Sequence, residues 1–477
     1  MNPYEFMFPK IDGRGLEKDP TPYLRLVEKG VSGFILFGGC LEAVRDGLNE
    51  LQRRAALPLI IASDLERGLG QQVEGGTVFP SAMAFGSASE AGMNEEDLGR
   101  AFSAFAEEAR WAGINMIFAP VLDINSNPQN PIISTRAFGE QPETVSRLGV
   151  LMAKRFEQQG VYACGKHFPG HGDTYQDSHL ETPAVNKTFG ELESFELKPF
   201  RAAIRAGIAA IMAGHLRLPR EDPSGLPATL SSRALGYLRA KMGFAGLIIT
   251  DALNMAGAGG NQGFDEMQRA EMALLAGSNV LLMPSEPDET ARYLLKRLKP
   301  SSAAELIGLI MEKRKALAAL KTKTLPKKSP PEFEGNRRLA REIALNAIKR
   351  VFIYGDKSLP AGTEKLIIVL TDDPQRLTPF ADELKKRAPS ATVLFNPPDA
   401  GAATPPSLVV AHSTPRAWKP PSARLKRDIA RFSAMGPLWL SLGNPYLIAG
   451  ERRKVLTYSD DPELQREMAK RVAEGRL

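Results

Sequence analysis

The chain has 477 residues, 43% of them hydrophobic and 24% charged, with 61 basic and 55 acidic side chains and a formal net charge of +6. That is enough apolar material for two or three domains, or for one large barrel with an attachment. Three classes are disfavoured. Two cysteines, Cys40 and Cys164, make no disulfide framework; no apolar run approaches the ~20 residues that span a bilayer; and basic clusters such as "KTKTLPKKS" (321–329) read as solvated linker, not as a nucleic-acid stripe.

The chain opens with "MNPYEFMFPKIDGRG", which lacks a basic segment followed by an apolar one. A soluble protein of a reducing, cytoplasmic compartment is therefore expected. Eight short apolar runs follow in order: residues 5–11, 33–39, 58–64, 115–124, 161–168, 209–216, 246–253 and 278–284. Each is too short for a core helix and rich in Ile, Val, Leu or Phe, as strands buried on both faces are. Amphipathic stretches lie between most of them. Residues 146–160 and 195–207 carry apolar residues at three- and four-residue steps, and each stops at a glycine, Gly160 and Gly207. Eight strand–helix units predict a (β/α)8 barrel over residues 1–320. An open doubly wound sheet is the competing architecture, but no glycine-rich dinucleotide fingerprint follows an early strand.

A Lys- and Pro-rich stretch at 321–340 reads as a linker. Beyond it, apolar runs at 349–355, 365–373, 391–397, 407–413 and 437–443 predict a smaller α/β domain over residues 341–477. His412 ends one of these runs and reads as structural.

Polar residues gather where the apolar runs of the first region end: Asp64, Asp123, Lys166, His167, His215 and Asp251. In a barrel these positions form the catalytic face. Three of the chain's five histidines sit in "KHFPGHGDTYQDSH" (166–179), a segment loosened by proline and glycine. There Asp177 and His179 are two residues apart, and a carboxylate beside an imidazole favours the imidazolium, which can deliver a proton and later recover one. Asp251, in "LIITDALNM" (247–255), is placed either to attack an electrophilic carbon or to cap the following helix. Asp64, Arg136, Lys166 and His167 offer donors and acceptors suited to a polyhydroxylated ligand.

These motifs carry a resemblance. "KHFPGHGDTYQDSH", with "PATLSSRALGYLRAKMGFAGLIITDALNM" (227–255), closely resembles the β-N-acetylglucosaminidase branch of glycoside hydrolase family 3. The similarity covers nearly all of residues 1–320 and takes in "ILFGG" (35–39), "SDLERG" (63–68), "APVLDIN" (119–125), "RAFGEQPE" (136–143) and "IMAGH" (211–215). The tail, with "SLGNPY" (441–446), looks like a shortened C-terminal domain of that family.

The resemblance implies that Asp251 is the nucleophile, His179 the general acid/base and Asp177 its partner. Asp64, Arg136, Lys166 and His167 would hold a terminal N-acetylglucosamine. It implies retaining removal of non-reducing terminal β-linked N-acetylglucosamine, from muropeptides or related glycans, without metal or cofactor. One departure stands out: where the family has D-x-E-G-G-R-V, this chain has "DLERGLGQQV" (64–73), with Arg67 and Leu69 replacing glycine and arginine. Other readings stay open: a phosphorylase using phosphate as acceptor, a β-glucosidase or β-xylosidase of the same family, a metal-dependent hydrolase built on the histidines, or a sugar-binding protein without turnover.

Overall fold

A computed structural model of the chain describes residues 2–174, 182–259, 263–323, 330–352, 366–396, 406–413, 421–435, 437–448, 450–451, 453–458, 460 and 462–474. Two compact units emerge, residues 1–79, 99–133 and 137–337 in the first, and residues 80–98, 134–136 and 338–477 in the second.

In the first unit every one of the eight apolar runs contains a strand. They are β1 (Met7–Phe8) with β2 (Lys10–Asp12), β3 (Gly33–Phe37), β4 (Ile60–Ser63), β5 (Met116–Ile117), β6 (Tyr162–Phe168), β7 (Ala210–Ala213), β8 (Leu247–Thr250) and β9 (Leu281–Leu282). Among the described residues β2 to β8 form one sheet in chain order, all neighbours parallel. The remaining gap is bridged by β9, which pairs with β1 in parallel and meets β8 at the Ile249–Val280 bridge. Pro9 has no N–H to give a ladder, so it splits the first stave into β1 and β2; its carbonyl still accepts from the Ile35 amide at 3.0 Å. The staves thus close into the parallel barrel that eight strand–helix units require.

Strands in such a ring are covered on both faces, and these are buried throughout β3, β4, β6, β7 and β8 apart from partly exposed Phe37. Side chains such as Phe8, Ile35, Ile60, Met116, Leu247 and Leu281 share one core cluster. The helices start and stop on local chemistry. Helix Glu266–Ala276 opens on a reciprocal capping box between Asp265 and Gln268 and ends at Gly277, whose φ of 113° suits only glycine. Helix Pro142–Gln158 begins with a proline in its first turn, and Gly160 at φ 75° turns the chain into β6.

The last turn of that helix carries a mostly buried carboxyl. Burial pushes Glu157 up to about 7 from its ordinary 4.5, against the Ala163 and Ala209 amides and the Lys313 charge, which pull it down. Because the folded value is raised, the unfolded chain loses this proton first as pH rises. Stability should therefore fall between the two values, 4.5 and about 7, and stay lower above them. Glu157→Gln, which cannot ionise, should gain on the wild type by up to roughly 3 kcal/mol across that window. Urea unfolding at pH 5 and pH 8 measures it; a variant with no relative gain at pH 8 contradicts the assignment.

The second unit holds a sheet of β10 (Lys349–Phe352), β11 (Leu366–Thr371), β12 (Thr392–Phe395), β13 (Leu408–Ser413), β14 (Leu438–Gly443) and β15 (Arg453–Leu456). The order is β10-β15-β14-β13-β11-β12, parallel except for β10 against β15. Helices Thr378–Arg387 and Pro462–Ala473 pack on it through Phe380, Leu384, Leu464 and Met468. His412 is buried, with Nδ1 2.8 Å from Thr371 Oγ1, and Arg376 Nε donates to Asp460 at 2.7 Å beside it.

Candidate active site

The polar residues at the ends of the apolar runs share the carboxyl end of the barrel. Asp64 directly follows β4, Asp123 lies six residues past β5, Lys166 and His167 occupy the end of β6, His215 lies two past β7, and Asp251 directly follows β8. This placement follows from the fold: a parallel ring puts every strand's C-terminus on one side.

Lys166 is the best-determined member. Its side chain is 2% exposed, and Nζ lies 2.6 Å from Asp64 Oδ1 and 2.7 Å from Glu66 Oε1. A cation so deeply buried is retained because two carboxylates offset its desolvation. Glu66, itself buried, was not singled out from the sequence; the signal available was its position two residues after Asp64 in "SDLERG". The departures in this loop are structural. Arg67 Nε donates to the Phe79 carbonyl at 3.0 Å, its amide donates to Gln71 Oε1 at 2.8 Å, and Leu69 is fully buried. Gly68, at φ 82°, passes so close to the Thr77 carbonyl that a Cβ would lie 2.8 Å from it.

His167 lies beside the fully buried carboxylate of Asp123, its Nδ1 2.7 Å from Oδ2. Asp123 Oδ1 accepts the His171 amide at 2.7 Å. Burial raises the Asp123 pKa, but the charge and hydrogen bonds of His167 and His171 outweigh it and hold the carboxyl below its ordinary range. Gly172 follows where the chain runs hard against β5's extension: a Cβ there would sit 1.6 Å from the Ile124 carbonyl.

Asp251 is partly exposed, and its Oδ1 accepts the Ala252 amide at 2.8 Å. Burial works to raise its pKa, yet His215, His167, the Ala252 N–H and Lys166 together bring it below the usual carboxylate value, so the group is an anion near neutrality. His215 is buried and neutral: desolvation lowers its pKa. Its Nε2 lies 3.0 Å from the Ala252 carbonyl, which only accepts, so the proton is on Nε2, and Nδ1 lies 2.9 Å from the Thr229 hydroxyl, which also reaches the Gly214 carbonyl at 2.9 Å. The Asp251–Ala252 peptide is thereby held through its carbonyl as well. Cys164, inside the barrel, is pushed up by burial and carries no reactive thiolate.

The structure thus brings Asp64, Lys166, His167 and Asp251 to one end of the barrel. Arg136 ends the short turn Ser134–Arg136, which groups with the second unit. Asp177 and His179 lie outside the described residues. Of the histidines considered for a metal, His167 Nδ1 is on Asp123, His171 Nδ1 lies 2.8 Å from Thr174 Oγ1, and His215 is held as above. Among the described residues no three His, Cys, Asp or Glu side chains are grouped to hold a metal ion.

A pre-formed anion at the same barrel mouth as the fixed Lys166 ammonium suits attack on an electrophilic carbon bearing hydroxyl neighbours. Comparison with known proteins agrees. Residues 25–309 match the glycosyl hydrolase family 3 N terminal domain. A beta-hexosaminidase A of Pseudoalteromonas piscicida is 33% identical over 350 residues, 67% of this chain and 58% of that protein, so this chain matches less than two thirds of that relative. A beta-hexosaminidase of Neisseria meningitidis is 36% identical over 272 residues, 55% of this chain and 74% of that one. The structure of a family 3 β-N-acetylglucosaminidase from a Paenibacillus species superposes with a TM-score of 0.82 at 28% identity, covering 100% of this chain and 96% of that one. With the parallel barrel, the polar residues at its carboxyl end and these matches in hand, the chain belongs to glycosyl hydrolase family 3.

Proposed function

We propose that the protein is a retaining exo-β-N-acetylglucosaminidase that removes non-reducing terminal N-acetylglucosamine from muropeptides or related β-linked glycans. The observation that carries this reading is Asp251: an ionised carboxylate at the end of β8, one oxygen tied to the Ala252 amide and the other left for chemistry. In the first step Asp251 attacks the anomeric carbon while His179, charged and paired with Asp177, protonates the leaving oxygen. In the second, neutral His179 takes a proton from water, which displaces Asp251 with net retention. Asp64, Arg136, Lys166 and His167 hold the sugar's hydroxyls and amide. No step calls for a metal or cofactor.

Two free cysteines and the lack, among described residues, of a helix long and apolar enough to cross a membrane support assignment to the cytoplasm.

The test is a panel of p-nitrophenyl glycosides with product analysis, run with and without phosphate. Preferential cleavage of the β-N-acetylglucosaminide, releasing β-configured free sugar at a rate independent of phosphate, is expected. Sugar 1-phosphate as the main product would make the enzyme a phosphorylase. Preference for glucoside or xyloside would move it to another branch of the family. His179→Ala should lose roughly 10²–10⁴-fold on a natural disaccharide, the range of general acid catalysis, and markedly less in the glycosylation of enzyme by p-nitrophenyl substrates, whose leaving group needs no proton. Equal losses on both would remove His179 from the acid's role.

A further inference from the structure

Asp123 has no place in the chemistry above, yet it is among the most heavily bonded carboxylates in the first unit. Oδ2 lies 2.7 Å from His167 Nδ1 and accepts the His167 amide at 3.1 Å, while Oδ1 accepts the His171 amide at 2.7 Å. The residue is completely buried. A carboxylate so placed can only accept, so the proton shared with His167 belongs to Nδ1, and Nε2 is the ring nitrogen left for a ligand. The ring is also confined from the side. The His171 imidazole meets it edge to face, with centroids 6.0 Å apart at 78°. His171 is itself fixed through Thr174 Oγ1 at 2.8 Å, and Asn130 Nδ2 donates to the His171 carbonyl at 2.7 Å.

We propose that Asp123 is a positioning residue for the sugar-binding step: by holding the His167 imidazole in one tautomer and one orientation, it presents Nε2 to a hydroxyl of the sugar at the barrel mouth. The ligand in this statement rests on the function proposed above; the tautomer does not. The same carboxylate ties β6 to the start of the following loop, because it holds the amides of both His167 and His171. An asparagine in its place keeps the shape but turns an N–H toward one of these donors. The His171 amide cannot give up its proton but the imidazole can, so the amide nitrogen takes the Oδ2 position, faces Nδ1 as a donor, and the ring carries its proton on Nε2 instead.

Nitrogen-15 spectra of the histidine rings, with His167 assigned by its loss in His167→Ala, read this directly. In the wild type, His167 Nδ1 should be protonated. In Asp123→Asn it should lose that proton. An unprotonated Nδ1 in the wild type, or an unchanged ring in the variant, overturns the proposal, and the wild-type arm decides even where Asp123→Asn does not fold. The kinetic arm uses p-nitrophenyl β-N-acetylglucosaminide. Asp123→Asn should lower kcat/KM by roughly 10- to 100-fold, as loss of an orienting partner does, but by less than about threefold when His167 is already alanine, since neighbours that act through one group are not additive. Equal falls in both backgrounds would show that Asp123 does not act through His167. A wild type that turns over no N-acetylglucosaminide sinks the functional reading alone, and the ring spectra still decide the role of Asp123.

Discussion

Asp251→Asn should abolish turnover of p-nitrophenyl β-N-acetylglucosaminide, with kcat lower by on the order of 10⁴-fold or more, while the protein stays folded. The magnitude is that of removing a covalent nucleophile, for which the remaining groups cannot substitute. The fold should survive because asparagine keeps an oxygen to accept the Ala252 amide, and β8 is held by its ladder to β7 and by the Ile249–Val280 bridge. Its electrostatic environment argues for a working anion. Burial alone would favour the neutral acid, and the surrounding His215, His167, Ala252 N–H and Lys166 reverse that preference. A depressed pKa also has a thermodynamic sign. The stabilisation is present above the unfolded value, 3.8, and is lost as pH falls through the lower folded value. Asp251→Asn should therefore cost stability at pH 7, and that cost should shrink as pH is lowered below 3.8. Near-normal turnover by the variant, with thermal unfolding unchanged, would leave Asp251 as a mere helix-start residue and end the mechanism.

The second large effect belongs to Lys166→Met. Its ammonium is sandwiched between Asp64 and Glu66, and only Asp64, at 28% exposure, retains much contact with solvent. Removing the cation takes from the buried Glu66 the ammonium that lies 2.7 Å from its Oε1. The expected loss is about 3–5 kcal/mol of unfolding free energy, the range for removing one partner of a buried ion pair. Activity should fall as well, since the variant loses the proposed donor to the sugar and frees Asp64 from its orientation. The two effects separate in the double variant Lys166→Met/Glu66→Gln. Replacing the buried carboxylate that faced the ammonium should recover part of the stability and none of the activity. Urea unfolding and kcat/KM on the same preparations measure both. A single Lys166→Met variant as stable as the wild type would show that the triad is solvated in solution and carries no such penalty.

How much of this could be read from residue order varies from element to element. The eight staves were legible because most of their residues are buried on both faces and so appear as apolar runs, the exposed Lys10 and Asp12 of β2 being the exception. The helix between β5 and β6 was legible because its periodicity and Gly160 mark it, although its start at Pro142 lies four residues before the predicted one. In the second unit, β15 was not legible. It is only four residues, Arg453–Leu456, and begins with two basic side chains, so it reads as polar surface although it lies between β14 and β10. Nor does anything in "PSAMAFGSASE" (80–90) announce that these residues group with the second unit.

Residue order alone was enough for the ring and for the polar groups at its rim, because hydrophobic periodicity reports burial and Asp64, Lys166, His167 and Asp251 sit where apolar runs stop. It named Asp64, Arg136, Lys166, His167, Asp177, His179 and Asp251 as the groups to consider. Which of the described residues share partners emerged from the folded chain. Glu66 opposes Lys166 from 100 positions away in the chain, Asp123 grips His167 from the segment after β5, and β9 returns to pair with β1. Such contacts leave no periodic trace, because a charge's partner is chosen by distance in space and by the low dielectric of the interior, and neither is written in local order.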